Sequence, residues 1–228
     1  RKVILNYNQP IKENAGFLVL KSNFFDSAIM KMSVVSDDFK KRYLSNKDHP
    51  MEFTARAIIF DGPEHYHAEI NNPDLNIDEN CILMIRGCGP VGYPGAAEVV
   101  NMQPPDHLLK KGISSLPCLG DGRQSGTSES PSILNVSPEA AVGGKLAIVQ
   151  NNDKVKVDLI NKRVDLLVEE DEINQRIKNN KFKYPPNQTP WQEIAREYVG
   201  QLGEGACLDL KEKYLDIAKE KGIPRDNH

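Results

Sequence analysis

The chain has 228 residues, with 29 Lys and Arg against 32 Asp and Glu and a net charge of −3; its mass is 25.5 kDa and its pI about 6.0. With 39% hydrophobic and 27% charged residues, the composition is that of one large globular domain able to bury a core without staples. The acidic excess argues against a nucleic-acid footprint, and no apolar run reaches the roughly 18 residues of a membrane span.

The opening segment, residues 1–7, has no apolar secretory core and no initiator Met, so the chain reads as a piece of a longer protein. Its four cysteines, Cys81, Cys88, Cys118 and Cys207, include no CxxC pair. That excludes a zinc ribbon or a redox dithiol of the usual spacing, and they read as reduced thiols of an intracellular protein. The Asn135-Val136-Ser137 triplet is a glycosylation signal only in a secreted chain.

Residues 16–20 and 28–32 read as short strands joined by a turn at Asn23 and Asp26. A charged stretch over 36–43 suits a loop or short helix. Residues 53–60 form an apolar, β-rich run broken by Asp61-Gly62-Pro63. One or two helical turns follow over 64–71. The run 81–85 is continuously apolar, the signature of a strand buried on both faces. Residues 87–95 hold four Gly and two Pro and must be an irregular loop. Helices are expected over 96–102, opened by Pro94, and over 104–111, stopped by Gly112. Residues 116–119 and 132–136 read as strands around a polar loop.

Three runs, 146–150, 154–160 and 163–168, predict an antiparallel meander; Val155, Val157 and Leu159 alternate with Lys154, Lys156 and Asp158. Residues 169–178 begin with four acids, as suits a helix N-terminus. Thr189-Pro190-Trp191-Gln192 opens a further helix to about residue 199, with Thr as N-cap and Trp191 expected as its packing anchor. One more helix fits 208–219. The sum is an α+β fold, a β-barrel of mostly short strands with flanking helices. It forms a single domain over 1–228, in which 179–228 is a helical C-terminal extension.

Two loops, 86–98 and 121–130, carry more Gly, hydroxyl and charged residues than folding requires. Standard motifs fit them poorly. Ser125 lacks the leading glycine of a nucleophile elbow, and Gly143-Gly144-Lys145 is followed by Leu146 rather than Ser or Thr. Gly87 to Gly92 matches GxGxxG after a strand, but prolines bracket it and the expected downstream acid is missing. His65 and His67 read as surface histidines.

Together, however, three segments resemble one family. The run RGCGPVGYPGAAE ending at Glu98 is similar to the GPxGxPG…E segment of the dihydroxy-acid and sugar-acid dehydratases (IlvD/Edd). The segment GDGRQSGTS, residues 120–128, resembles that family's D-[AG]-R-x-S-G loop, and SPEAAVGG, residues 137–144, resembles its SPEAAxGG segment. Order and spacing agree, and the RQSGTS wording resembles the sugar-acid (arabonate- or xylonate-type) branch.

The resemblance implies the C-terminal domain of a two-domain hydro-lyase, in which a 2,3-dihydroxy (sugar) acid loses water to give a 2-keto-3-deoxy acid. It implies Ser125 as an alkoxide base, Glu98 as a Mg²⁺ ligand and Thr127 as a substrate contact, with Asp121 and Arg123 as a buried loop-shaping pair. It also implies an iron–sulfur cluster in the full-length protein, with no cluster ligand in this chain and none of the four cysteines assigned to one. The expected partners are the protein's own N-terminal domain and further copies of itself, with no nucleic acid and no membrane. Cytoplasm, or alternatively the mitochondrial matrix, suits the thiols, and the isolated domain is expected to be inactive. One departure is Glu129, where the sugar-acid branch has Gly. Two other readings stand beside this one: a binding or regulatory module that retains the fold without catalysis, and a serine hydrolase using Ser125.

Overall fold

The apolar run at residues 81–85 organises the architecture. In the computed structural model, which describes residues 5–6, 8–10, 16–95, 102–124 and 131–222, it is strand β4 (Cys81–Arg86). Residues 81 to 85 are fully inaccessible. Parallel neighbours on both sides explain this: β3 (Glu52–Asp61) and β5 (Cys118–Gly120), with β5 pairing parallel to β6 (Ser132–Ser137). Strands covered on both faces need no polar alternation.

Antiparallel strands flank this parallel group. β2 (Ser27–Lys31) pairs with β6, and β1 (Phe17–Leu20) with β2; β7 (Lys154–Asp158) pairs with β3, and β8 (Arg163–Leu166) with β7. The order is β1-β2-β6-β5-β4-β3-β7-β8. The two ends then approach each other. The Lys21 N–H donates to the Lys162 carbonyl (3.0 Å), and the Val164 N–H donates to the Lys21 carbonyl (2.9 Å). Asn23 extends the seam with its side chain: Nδ2 donates to the Leu166 carbonyl and Oδ1 accepts the Leu166 N–H, both at 2.8 Å. The sheet is thereby a nearly closed barrel, its two edge strands joined where β1 ends.

Period-two alternation sorts the side chains. Ala55, Ala57 and Ile59 of β3 and Ile82 and Met84 of β4 face the lumen, where all eight strands contribute to one apolar cluster. Ile58, Phe60, Leu83 and Ile85 face outward into a second cluster. There Tyr66 and Ile70 from the region of α2 (Gly62–Glu69) and Leu108 of α3 (Asp106–Leu109) cover them. In β6 the alternation slips: Ile133 and Val136, three positions apart, both face the lumen. Asn135, at φ 57°, takes up the extra residue as a bulge, and the β2–β6 register shifts there.

The remaining helices lie around the barrel: α1 (Asp37–Phe39), α4 (Glu170–Lys178), α5 (Pro190–Tyr198) and α6 (Lys211–Lys221). The expected signals operate. Thr189 Oγ1 accepts the Gln192 N–H at 3.3 Å and Pro190 opens α5. In α4, Arg176 donates to both carboxylate oxygens of Asp153 (2.6 and 3.0 Å), which clamps the helix to the β7 end of the barrel.

Two expectations are corrected. The first run of the predicted meander is not a strand, because residues Lys145–Ile148 form a 3-10 turn. Both edges of β3 are already paired, and the carbonyls of Ala147 and Val149 are taken by the Arg86 guanidinium (2.6 and 3.0 Å). Trp191 is not a packing anchor but 77% exposed. The helix expected over 96–102 falls outside the described residues except for Met102.

Asn23→Ala would leave both polar groups of Leu166 without these partners. It is expected to lower the unfolding free energy by about 2 kcal/mol, read as a lower urea midpoint with little change in slope; an unchanged midpoint would show the seam to be dispensable.

Candidate active site

Because β3 to β6 run parallel, their carboxyl ends lie at one edge, where open α/β sheets place their ligands. β3 ends at Asp61, β4 at Arg86, β5 at Gly120 and β6 at Ser137. The loop 87–95, the segment beginning at Asp121 and the turn 138–144 therefore emerge side by side. Arg86 ties two of these strand ends together, its Nε donating to Asp61 Oδ1 at 2.5 Å.

Two buried carboxylates join the loops. Asp121 accepts the N–H groups of Gly87 (3.0 Å), Cys88 (2.8 Å) and Ala140 (2.9 Å). Glu139 accepts those of Val91 (2.9 Å) and Gly92 (2.8 Å), together with the Gln201 amide at 2.9 Å. Both are fully inaccessible. The loop after β4 is thus gripped at its start by one carboxylate and at its middle by another. This explains two of its glycines. A Cβ at Gly89 would overlap the Glu139 carboxylate, and one at Gly92 would lie 2.6 Å from the Gly87 carbonyl oxygen.

Burial pushes the Asp121 carboxyl up to about 6, against the opposing pull of its three N–H donors. Burial, reinforced by Asp121, Glu64 and Glu139, also holds the Cys88 thiol well above its usual range. At neutral pH Cys88 is a protonated thiol and a poor nucleophile. The β6 bulge acts on the next segment. The Asn135 N–H donates to the Gly122 carbonyl (2.9 Å), and its Oδ1 accepts the Gln124 N–H (2.6 Å). This fixes the backbone up to the residue before Ser125.

Ser125, Thr127, Glu98 and Glu129 lie outside the described residues. The buried Asp121–Arg123 pair is not formed. Asp121 is buried on backbone amides while Arg123 is exposed, because a carboxylate already accepting three N–H groups needs no guanidinium. His65 and His67 are exposed on α2, as expected of surface histidines, and His65 Nδ1 accepts the Asp61 N–H at 2.9 Å. Sequence reasoning missed the role of Glu139. The available signal was an acid set between Pro138 and two alanines, an unusual neighbourhood for a solvated carboxylate.

Among the described residues no group of three or more His, Cys, Asp or Glu is placed to hold a metal ion. Cys81, Cys88 and Cys118 are buried and Cys207 is exposed. Cys81 is engaged by Asp78 and Arg56 (3.2 and 3.0 Å). No helix among the described residues is long and apolar enough to cross a membrane.

A barrel whose parallel strand ends carry three interlocked loops defines an α+β domain built to present a site at one edge. The sequence identifies which one: the family model described as "Dihydroxy-acid/6-phosphogluconate dehydratase C-terminal" matches residues 2–206, and the chain belongs to that family. It is 56% identical over 228 residues to a D-xylonate dehydratase of Caulobacter vibrioides, covering 100% of this chain and 38% of that protein. It is 34% identical over 227 residues to an L-arabinonate dehydratase of Rhizobium leguminosarum bv. trifolii, covering 99% of this chain and 37% of the relative. A dihydroxy-acid dehydratase of Archaeoglobus fulgidus is 28% identical over 212 residues, 91% of this chain and 35% of its own length. The chain therefore spans less than two-fifths of these relatives, and its similarity is greater to the two sugar-acid enzymes.

The Asp121 carboxyl titrates higher in the folded protein (about 6) than in an unfolded chain (near 3.8). The native state thus holds an extra proton between these values, and this group's contribution to stability declines as pH rises through about 4 to 6. The decline is on the order of 3 kcal/mol. The unfolding free energy of wild type minus that of Asp121→Asn is expected to shrink over that window; a constant difference from pH 4 to 7 would contradict it.

Proposed function

We propose that this chain is the C-terminal domain of a hydro-lyase that dehydrates a sugar acid to a 2-keto-3-deoxy acid. The observation that carries the proposal is the 56% identity, end to end, with a D-xylonate dehydratase. A five-carbon aldonic acid is accordingly the favoured substrate, with the rest of the longer protein supplying the remainder of the site.

In this reading Ser125 Oγ takes the C2 proton of the substrate. The C2 electron pair forms the C2–C3 double bond as the C3–O bond breaks, the departing hydroxide takes the proton now held by Ser125 and leaves as water, and the enol loses its hydroxyl proton and gains one at C3 to become the 2-keto-3-deoxy acid. Thr127 holds the substrate carboxylate or hydroxyl by a hydrogen bond. Asn135 holds the backbone of Gly122 and Gln124, the last described residue before Ser125, and this supports the choice of Ser125 as the base, since proton abstraction requires a positioned group.

The hard oxygen donors of this chain suit a divalent cation of the Mg²⁺ class, with the Glu98 carboxylate as the ligand this domain would contribute. When bound, such a cation would supply the positive field that lowers the pKa of a serine hydroxyl and of the C2 proton. The cysteines do not suit an iron–sulfur cluster, so any cluster would depend on residues beyond this chain. The domain alone is then inactive, and association with the remainder of the protein and with further copies is part of the proposal, as is a cytoplasmic location. Glu129 favours one competing reading, a module that keeps the fold without turnover.

The full-length protein, with its iron and Mg²⁺ bound, is the material for the test. D-xylonate, L-arabinonate and a branched 2,3-dihydroxy acid are offered, and 2-keto-3-deoxy acid is measured. The expected result is turnover of a sugar acid that falls by about 10²–10⁴-fold in Ser125→Ala. Wild-type protein inactive on every substrate would favour the non-catalytic module.

A further inference from the structure

The segment between α4 and α5 lies beside the loop 87–95, and the two line one cavity. Arg196 of α5 joins the two. Its Nε donates to the Val91 carbonyl (2.8 Å), its Nη2 to the Gly92 carbonyl (3.2 Å) and its Nη1 to Asn187 Oδ1 (2.5 Å). The guanidinium stacks on the Tyr184 ring, 4.3 Å from its centroid. Farther along the same segment, Phe182 lies under the Arg86 guanidinium at 5.3 Å. A cavity of about 220 Å³ remains between segment and loop, lined by Arg86, Tyr93, Tyr184, Gln192 and Arg196 among others.

Val91 and Gly92 are thus held from two directions. Their N–H groups go to Glu139, and their carbonyls go to Arg196. A peptide pair with both donors and both acceptors taken by charged side chains has lost most of its freedom to reorient. A flat, forked cation is suited to this, since one guanidinium reaches both carbonyls and Asn187 while stacking on an aromatic face. Val91 and Gly92 are buried, so the guanidinium also satisfies carbonyls that would otherwise lack a partner, and a folding role has to be separated from a positioning role by experiment.

We infer that Arg196 is a positioning residue for the reaction: it acts through Val91 and Gly92 to fix the glycine loop at the edge where the substrate is processed, and residues 182–196 form the strap that carries it. This rests on the dehydratase reading for its catalytic consequence, while the strap's grip on the loop is a separate claim with its own readout.

The test compares wild type, Arg196→Met and Arg196→Lys in the full-length metal-loaded protein. Steady-state kinetics on the sugar acid are measured alongside amide hydrogen exchange. For Arg196→Met, kcat is expected to fall by about 100-fold, the scale of a small misplacement in an active site, with KM changed by less than about threefold. Exchange at Val91, Gly92 and Tyr93 is expected to rise at least about tenfold while that of Ile82 to Ile85 in β4 is unchanged. Arg196→Lys, which keeps the charge but not the fork, is expected to fall between the two. A uniform rise in exchange across β4 and the loop would mean loss of stability only and would overturn the positioning role. So would unchanged loop exchange or an unchanged kcat in a working enzyme. Wild-type protein without turnover would overturn the dehydratase reading and, with it, the catalytic consequence, whereas the exchange result would still decide whether the strap holds the loop.

Discussion

The structure depends on the capture of one glycine loop by two buried carboxylates. Asp121 takes the N–H groups of Gly87 and Cys88, and Glu139 takes those of Val91 and Gly92. Each carboxylate belongs to a different loop, so the grip joins three chain segments that are distant in sequence. The barrel makes this possible. Four parallel strands bring the ends of β3 to β6 to one edge, and the Asn23 seam closes the sheet behind them. Without that arrangement the three loops would be separate surface turns.

The arrangement is costly by itself. A carboxylate withdrawn from water loses its hydration, and Glu139 adds repulsion to the desolvation already felt by Asp121. The cost is offset locally by five backbone N–H groups, which would otherwise be buried donors in a loop with no ladder to join. Neither side is stable alone. This mutual requirement explains why glycines stand at positions 89 and 92, where a side chain would enter the space of a carboxylate or a carbonyl. It also ties the three loops at the carboxyl ends of β3 to β6 into one unit.

The fold was legible where the signal is local. Five consecutive apolar residues at β4 reported burial on both faces, alternating Lys and Val reported β7, and the Thr-Pro-x-Gln sequence reported the start of α5. What failed depended on distant partners. Residues 146–150 are as apolar as a strand, but Arg86 claims the carbonyls of Ala147 and Val149 and the β3 edges are occupied, neither of which a window of sequence contains. Trp191 was read from residue type, and the structure leaves it on the outer face of α5. The parallel order of β3 to β6 arises from pairings across long separations. The motif segments were legible as a set, through their resemblance to one family, whereas the roles of Asp121 and Glu139 were not. Their partners are mostly backbone amides, and any residue type except proline can supply those.

The central claim is that Asp121 and Glu139 act on one loop as a unit, and a double-mutant cycle on the full-length protein tests it most directly. The unfolding free energies of wild type, Asp121→Asn, Glu139→Gln and the double variant are compared at pH 7. Each single change sets an amide NH₂ against backbone donors and loosens the loop that the other carboxylate holds, so the second change should cost less than the first. The account predicts a coupling energy of about 1 kcal/mol or more. Additive effects, within about 0.5 kcal/mol, would mean that the two carboxylates stabilise separate structures, and would contradict it.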